Sequence, residues 1–324
     1  MQLIEKFYKE LNQVKLKLPF TKILVAVSGG IDSLALCFLA NEYAKTHDIK
    51  LMSLTVEHGL RDNSRNQAKE LNQLLLSHQI HHEIDIWQKD NEITSNIEAQ
   101  AREARYKLII NYAKEHNIDL VLLGHHYDDQ IENFLIRLER GSGIDGLSLM
   151  DSYFSKQKVN FMRPLIAVRK TELKSYLEVQ NIKWFEDPSN QDTKFKRNKI
   201  RNLLANLDDD LIKQRIYQTS SHFSRVKSYL SAQVNTAYQK LIWQQDKIII
   251  IELAEFKKLH SEIALRLLIK ILSEIGGKSY KPRFEKLEIL YNKIVNDEIN
   301  KRTTFAFTII EVKADQLMFQ QEFK

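Results

Sequence analysis

The chain has 324 residues, 43% hydrophobic and 28% charged, with only four prolines and nine glycines, so it can bury a core in two or three domains and is not composed like a disordered chain. Its single cysteine, Cys37, excludes an intramolecular disulfide and any multi-cysteine metal or iron–sulfur site, and the apolar run 34–39 around it reads as an inert buried thiol. No apolar stretch reaches the roughly 18 residues that span a bilayer and the first six residues include charges, so no membrane association and a cytoplasmic location are expected.

In chain order, short apolar runs at 22–27, 50–56, 82–87 and 119–124 read as strands, and helical patterns at 33–46, 65–78, 96–115 and 129–140 alternate with them. Each helix can cover a sheet face while returning the chain to start another parallel strand, which predicts a doubly wound α/β domain. A further helix is expected at 170–180, followed by a polar, proline-containing segment at 186–201. From about residue 211 the pattern changes to helices with a strand pair near 247–253 and 303–318, so the domains are expected at 1–212 and 213–324. The net charge of +6 lies in the second of these, which carries about seven excess positive charges while the first is close to neutral. A basic, mainly helical appended domain suits a polyanionic partner, although such an excess is also common on solvated helices.

Between the first strand and first helix lies Ser28-Gly29-Gly30-Ile31-Asp32-Ser33. Glycines there permit positive φ and let backbone N–H groups approach an anion, the helix N-terminus adds its partial positive charge, and Ser33 can supply a capping hydroxyl. Asp32 would repel phosphates unless a cation lies between, so it reads either as a Mg²⁺ ligand or as an ordinary acid in a first helical turn. The spacing is too short for a Walker-type P-loop and lacks its lysine, and it is not a GxGxxG turn. In open α/β sheets ligands lie outside the carboxyl ends of the strands, so the segments 56–61 and 124–133 should complete the site.

The turn resembles the PP-loop of the ATP pyrophosphatases, which implies an adenine nucleotide alpha hydrolase-like fold and cleavage of ATP between its α and β phosphates. Among members of that family, the segments Val56-Glu57-His58-Gly59-Leu60-Arg61, Glu98 to Tyr106, Gly124-His125-His126 through Asn133 to Gly143, Arg163-Pro164-Leu165, and Glu186 to Arg201 are similar to the tRNA(Ile)-lysidine synthetases, in the same order. Glu57 and Asn133 depart from the usual Asp and Thr, and longer members carry an additional C-terminal domain. The resemblance implies lysine joined to C2 of cytidine 34 in the CAU anticodon of tRNA(Ile), through an adenylated intermediate, with ATP converted to AMP and pyrophosphate.

On that resemblance, ATP is held by Ser28, Gly29, Gly30, Ile31, Asp32, Ser33, Val56 and His58, and Mg²⁺ by Asp32 and Asp129. Arg105 and His125 are candidates for neutralising charge on the α-phosphate and the intermediate, and Glu132 for a lysine-ammonium partner or base. Without the motif, Arg105 would read as an exposed helix arginine; of the neighbours His125 and His126, one is expected to be structural. The basic run with Lys194, Lys196, Arg197, Lys199 and Arg201 is expected to contact tRNA or ATP, the other reading being a solvated helix cap. Lys278, Lys281 and Arg283 either track the tRNA backbone or form a charged surface loop. A homodimer is suggested by family members. Alternatives are another PP-loop adenylating tRNA modifier and a non-catalytic nucleotide- or RNA-binding relative.

Overall fold

The computed structural model describes residues 2–57, 64–87, 97–186, 196–206, 210–245, 248–276, 283–299 and 301–322. His58, Lys194, Lys278 and Lys281, with the motif segments 58–61 and 187–195, lie outside the described residues. The chain divides into two compact units, 1–221 and 222–324.

The first unit runs α1 (Gln2–Lys15), β1 (Lys22–Ala26), α2 (Ile31–Thr46), β2 (Lys50–Glu57), α3 (Ser64–Ser77), β3 (His81–Ile86), α4 (Ile97–Glu115), β4 (Leu120–Leu122), α5 (Tyr127–Glu139), α6 (Ile144–Leu147), β5 (Tyr153–Lys156), β6 (Val159–Met162), α7 (Lys170–Val179) and α8 (Lys196–Asn206). A long helix, α9 (Asp210–Leu241), carries the chain across the division. Six strands form one sheet in the order β3-β2-β1-β4-β6-β5, parallel throughout except for β5, which returns antiparallel to β6 at the edge. The order runs outward from β1 through β2 to β3 and then restarts on the other side with β4. The connections after β1 and β4 therefore diverge, opening a crevice at the carboxyl ends of these two strands.

Alternation along the strands assigns the two faces. Ile23 and Val25 of β1 and Leu120 and Leu122 of β4 pack with Leu34 and Leu39 of α2, Phe7 and Leu11 of α1, and Leu173 and Leu177 of α7. The intervening Leu24, Val121 and Leu123 pack instead with Met52 and Leu54 and with Tyr106, Ile109 and Ile110 of α4. A side-chain period of two on strands buried on both faces requires this split, and each fully buried aliphatic side chain contributes about 1.5–3 kcal/mol. Cys37 is buried in the first face, where burial pushes its thiol up to about 12. It is inert, as the surrounding sequence predicts.

In the second unit α9 continues and is followed by β7 (Trp243–Gln245), β8 (Ile248–Glu252), α10 (Leu253–Lys257), α11 (Ser261–Gly276), α12 (Phe284–Val295), β9 (Thr303–Phe305), β10 (Thr308–Lys313) and β11 (Gln316–Gln321). The expected strand pair is part of an antiparallel sheet ordered β7-β8-β11-β10-β9. Leu268 and Ile271 of α11 and Leu287 and Ile294 of α12 share a core with Ile251, Ile310 and Phe319 of the sheet. No helix among the described residues is long and apolar enough to cross a membrane.

Candidate active site

The phosphate turn is held by its own polar groups. Gly29 has φ +82°, and Gly30, the N-cap of α2, supplies no side-chain cap. The leading N–H groups of α2 are thus left at the crevice, where the helix dipole favours an anion. Ser33 Oγ accepts from Ser28 N at 3.0 Å, donates to Gly30 O at 3.1 Å and lies 3.1 Å from Ser28 Oγ. Its hydroxyl braces the turn from within instead of capping through the N-cap position. From the far side, Phe185 N donates to Gly29 O at 3.0 Å, and a Cβ on Gly29 would come within 2.8 Å of the Phe185 ring. Thr55 of β2 donates to Val27 O at 2.9 Å, tying the turn to the sheet.

The second strand end arrives through a close backbone approach. A Cβ on Gly124 would sit 3.2 Å from the Asp32 carbonyl, so the end of β4 packs directly on the start of α2. His126 then caps α5: its Nδ1 accepts from Asp128 N at 3.2 Å, while Asp129 Oδ2 accepts from His126 N at 3.0 Å. His126 Nε2 lies 3.4 Å from Asp32 Oδ1 and 3.6 Å from Asp129 Oδ2. Burial opposes a charge on this ring, but Asp128, Asp32 and Asp129 outweigh it and push its pKa up to about 10. Nδ1 also lies 3.5 Å from Asp128 Oδ2, the carboxylate that faces it when the ring is protonated. Asp32 Oδ1 is buried and, despite His126, accepts no well-formed hydrogen bond from the described residues.

His125 has the opposite character. Burial and the neighbouring Arg163, Arg102 and Arg105 drive its pKa down to about 3 against the pull of Asp129, so the ring is neutral. Of the adjacent histidines, His126 is held among carboxylates and His125 faces the crevice.

The basic run from residue 196, within the polar segment expected at 186–201, is a helix, α8. Its Ile200 and Leu204 pack on Tyr127 and Ile131 of α5. Arg197 and Arg201, four residues apart on one face, reach the same helix. Arg197 donates to Asp129 Oδ1, and its Nε donates to Glu132 Oε2 at 2.6 Å; Arg201 Nε donates to Glu132 Oε1 at 2.7 Å. Both carboxylates are buried, and the Asp129 carboxyl is held below its usual range, because the charges of His126 and Arg197 overcome its burial. Lys196 pairs with Glu139 at 2.8 Å, and Lys199 is exposed.

These elements enclose a cavity of about 480 Å³ whose wall includes Ser28, Gly30, Asp32, Ser33, Val56, Arg105, His125, Asp129 and Arg197. The structure thus brings together most of the residues expected for nucleotide binding and catalysis. Gly29 and Ile31 belong to the turn but not to the wall, and Glu132, Lys196, Lys199 and Arg201 lie outside it. The wall also includes residues that the sequence does not single out, among them Arg102, one helical turn before Arg105, and Phe185, which precedes the polar segment. The i, i+3 spacing of the arginines was a legible signal; nothing local marked Phe185. Arg105 is largely buried beside Arg102 and Arg197, and burial first, then these like charges, lower its pKa.

A family model described as a PP-loop domain matches residues 3–207. The tRNA(Ile)-lysidine synthase of Wolbachia pipientis wMel is 37% identical over 93% of this chain and 70% of its own length. That of Rickettsia felis is 33% identical over 99% of this chain and 74% of its own length. Among solved structures, a U34-tRNA thiolase from Methanococcus maripaludis superposes with a TM-score of 0.58 at 21% identity, covering 69% of this chain and 78% of that one, a likeness of fold alone. Matched over most of its length by the PP-loop model and over nearly all of it by these relatives, the chain belongs to the tRNA(Ile)-lysidine synthase family of PP-loop proteins.

Proposed function

We propose that this protein ligates L-lysine to C2 of cytidine 34 in the CAU anticodon of tRNA(Ile), consuming ATP and releasing AMP and pyrophosphate. The product base reads AUA in place of AUG. The observation that carries the reading is the braced, uncapped turn at the N-terminus of α2, opening on a cavity whose other wall holds three arginines and a neutral histidine. Such a cavity suits a polyphosphate at one end and developing charge at an α-phosphate at the other.

The pyrophosphate portion of ATP lies against the N–H groups of the turn, with Val56 at the end of β2 bordering the nucleotide and His58 assigned to it by family resemblance. Arg105, with Arg102 beside it, receives the α-phosphate, and His125 donates a hydrogen bond as a neutral ring. Transfer of AMP to the C2 oxygen turns that oxygen into a leaving group, and the neutral ε-amine of lysine displaces it. Both oxygens of Glu132 are engaged by arginines. Glu132 therefore takes up the lysine ammonium only by releasing Arg197 or Arg201.

Asp32 fits a Mg²⁺ ion, since its buried Oδ1 takes no hydrogen bond within normal geometry from the described residues, the His126 ring standing 3.4 Å away. Asp129 fits less readily, because one oxygen is held by Arg197 and the other by the His126 amide. When bound, Mg²⁺ would neutralise phosphate charge. Lys199 and Lys196 on α8, with Lys194 before it, are placed to meet the tRNA backbone, and Arg201 supports them through its bond to α5. Arg197, in the cavity wall, contacts ATP or the target nucleotide. The basic second unit binds tRNA, in the cytoplasm, with a homodimer as the proposed assembly. Product analysis tests the nucleotide chemistry: incubation with ATP, lysine and tRNA(Ile) yields AMP and pyrophosphate, whereas ADP and phosphate would overturn it.

A further inference from the structure

We propose that Arg163 is a positioning residue that locks His125 as its Nε2–H tautomer and aims that N–H into the nucleotide cavity. Arg163 follows β6, which lies parallel to β4, with Met162 opposite Leu122, so it stands beside the strand end that carries His125. It is 8% exposed and held from several sides. Its backbone N–H donates to Ser152 O at 2.7 Å, its Nη1 donates to Asp151 O at 2.5 Å, its guanidinium lies 4.3 Å from the Phe154 ring centre, and its Nε donates to His125 Nδ1 at 3.3 Å.

A guanidinium offers only donors and does not lose its proton in a protein. His125 Nδ1 must therefore present a lone pair, which places the ring proton on Nε2. The opposite tautomer would set N–H against N–H. His125 lines the cavity, and the hydrogen bond that ties it to Arg163 is made through Nδ1. The remaining donor is thus directed at whatever occupies the cavity: a phosphate oxygen or the oxygen of an activated base. Arg163 does not itself line the cavity, so it acts there through the imidazole it holds.

The kinetic part of the test rests on the proposed activity, whereas the spectroscopic part does not. Long-range proton–nitrogen spectra of the whole ligand-free chain, labelled at histidine and assigned by difference against His125→Gln, report the tautomer directly. The expected result is the Nε2–H pattern for His125 in the native chain, a shift toward the Nδ1–H form in Arg163→Met, and partial restoration in Arg163→Lys. Arg163→Met keeps an unbranched stem against Phe154, and unchanged signals from the other histidines establish that it is folded. A native Nδ1–H tautomer, or a tautomer indifferent to Arg163→Met in the folded chain, overturns the proposal.

In lysine-dependent turnover, Arg163→Met should lower kcat on the order of 10- to 100-fold with little change in KM for ATP. His125→Gln carries an amide N–H at the Nε2 position that needs no tautomer, so in that background the same substitution should cost less than about threefold. Equal losses in both backgrounds would show that Arg163 acts otherwise than through His125.

Discussion

Gly29→Ala probes the backbone of the phosphate turn without altering a charge or a donor. Alanine at φ +82° takes on the left-handed conformation, which costs an L-residue roughly 1–2 kcal/mol. Its Cβ would also meet Phe185 Cδ2 at 2.8 Å, and the ring cannot retreat freely because Phe185 N is bonded to Gly29 O at 3.0 Å. Loosening that bond adds about 1 kcal/mol, so the total is about 2–3 kcal/mol. Urea denaturation should register this as a lower midpoint at unchanged slope. If the turn escapes strain by abandoning its anion-binding shape, ATP affinity falls by roughly 30- to 100-fold, at 1.4 kcal/mol per tenfold. Phe185→Leu combined with Gly29→Ala should relieve the steric share and leave the conformational one, read against Phe185→Leu alone. Stability and ATP affinity both within about 0.5 kcal/mol of the native chain would refute the reasoning.

Other substitutions address the charges around the cavity. Arg197→Met withdraws a partner from the buried carboxylates of Asp129 and Glu132, and since Arg201 still holds Glu132 the loss should be about 2–3 kcal/mol, measured by denaturation. Asp32→Asn removes the oxygen best placed to meet a phosphate-bound cation; turnover should fall by about 100-fold or more while stability stays within about 1 kcal/mol, and retained turnover would remove Asp32 from the chemistry. His82, whose Nδ1 donates to Ser53 Oγ while Ser53 donates to His81 O, is held neutral by burial down to about 4. The unfolded chain takes up a proton near 6.5 that the folded chain refuses, so this contribution is fully present above pH 6.5 and is lost as pH falls toward 4. His82→Asn keeps a donor for Ser53 without titrating, and its stability should vary less across that window.

The parallel core was legible because its strands are short apolar runs separated by helices with clear caps or breakers, and the site followed from topology: what lies beyond β1 and β4 must meet. The β5–β6 hairpin was not read, for definable reasons. Its outer strand is largely exposed, and its turn places Gln157 and Lys158 at positive φ, where Asn or Gly would have announced it. The α8 helix was hidden because its contact with α5 is made as much by Arg197 and Arg201 as by Ile200 and Leu204, so hydrophobic periodicity understates it. The pairing of the basic run with Asp129 and Glu132 could not be read from spacing, since the partners are more than 60 residues apart. The contrasting charge states of His125 and His126 depend in part on residues distant in sequence, Arg102, Arg105 and Arg163 for the first and Asp32 for the second.

The central claim is tested most directly by incubating the chain with labelled lysine and ATP, supplying in parallel tRNA(Ile) bearing the CAU anticodon and the methionine tRNA that shares it. Label should be joined to the isoleucine tRNA alone, with matching release of AMP and pyrophosphate, and incorporation by Asp32→Asn should fall by about 100-fold or more. Nucleotide turnover on tRNA without lysine incorporation, or equal labelling of both tRNAs, would contradict it.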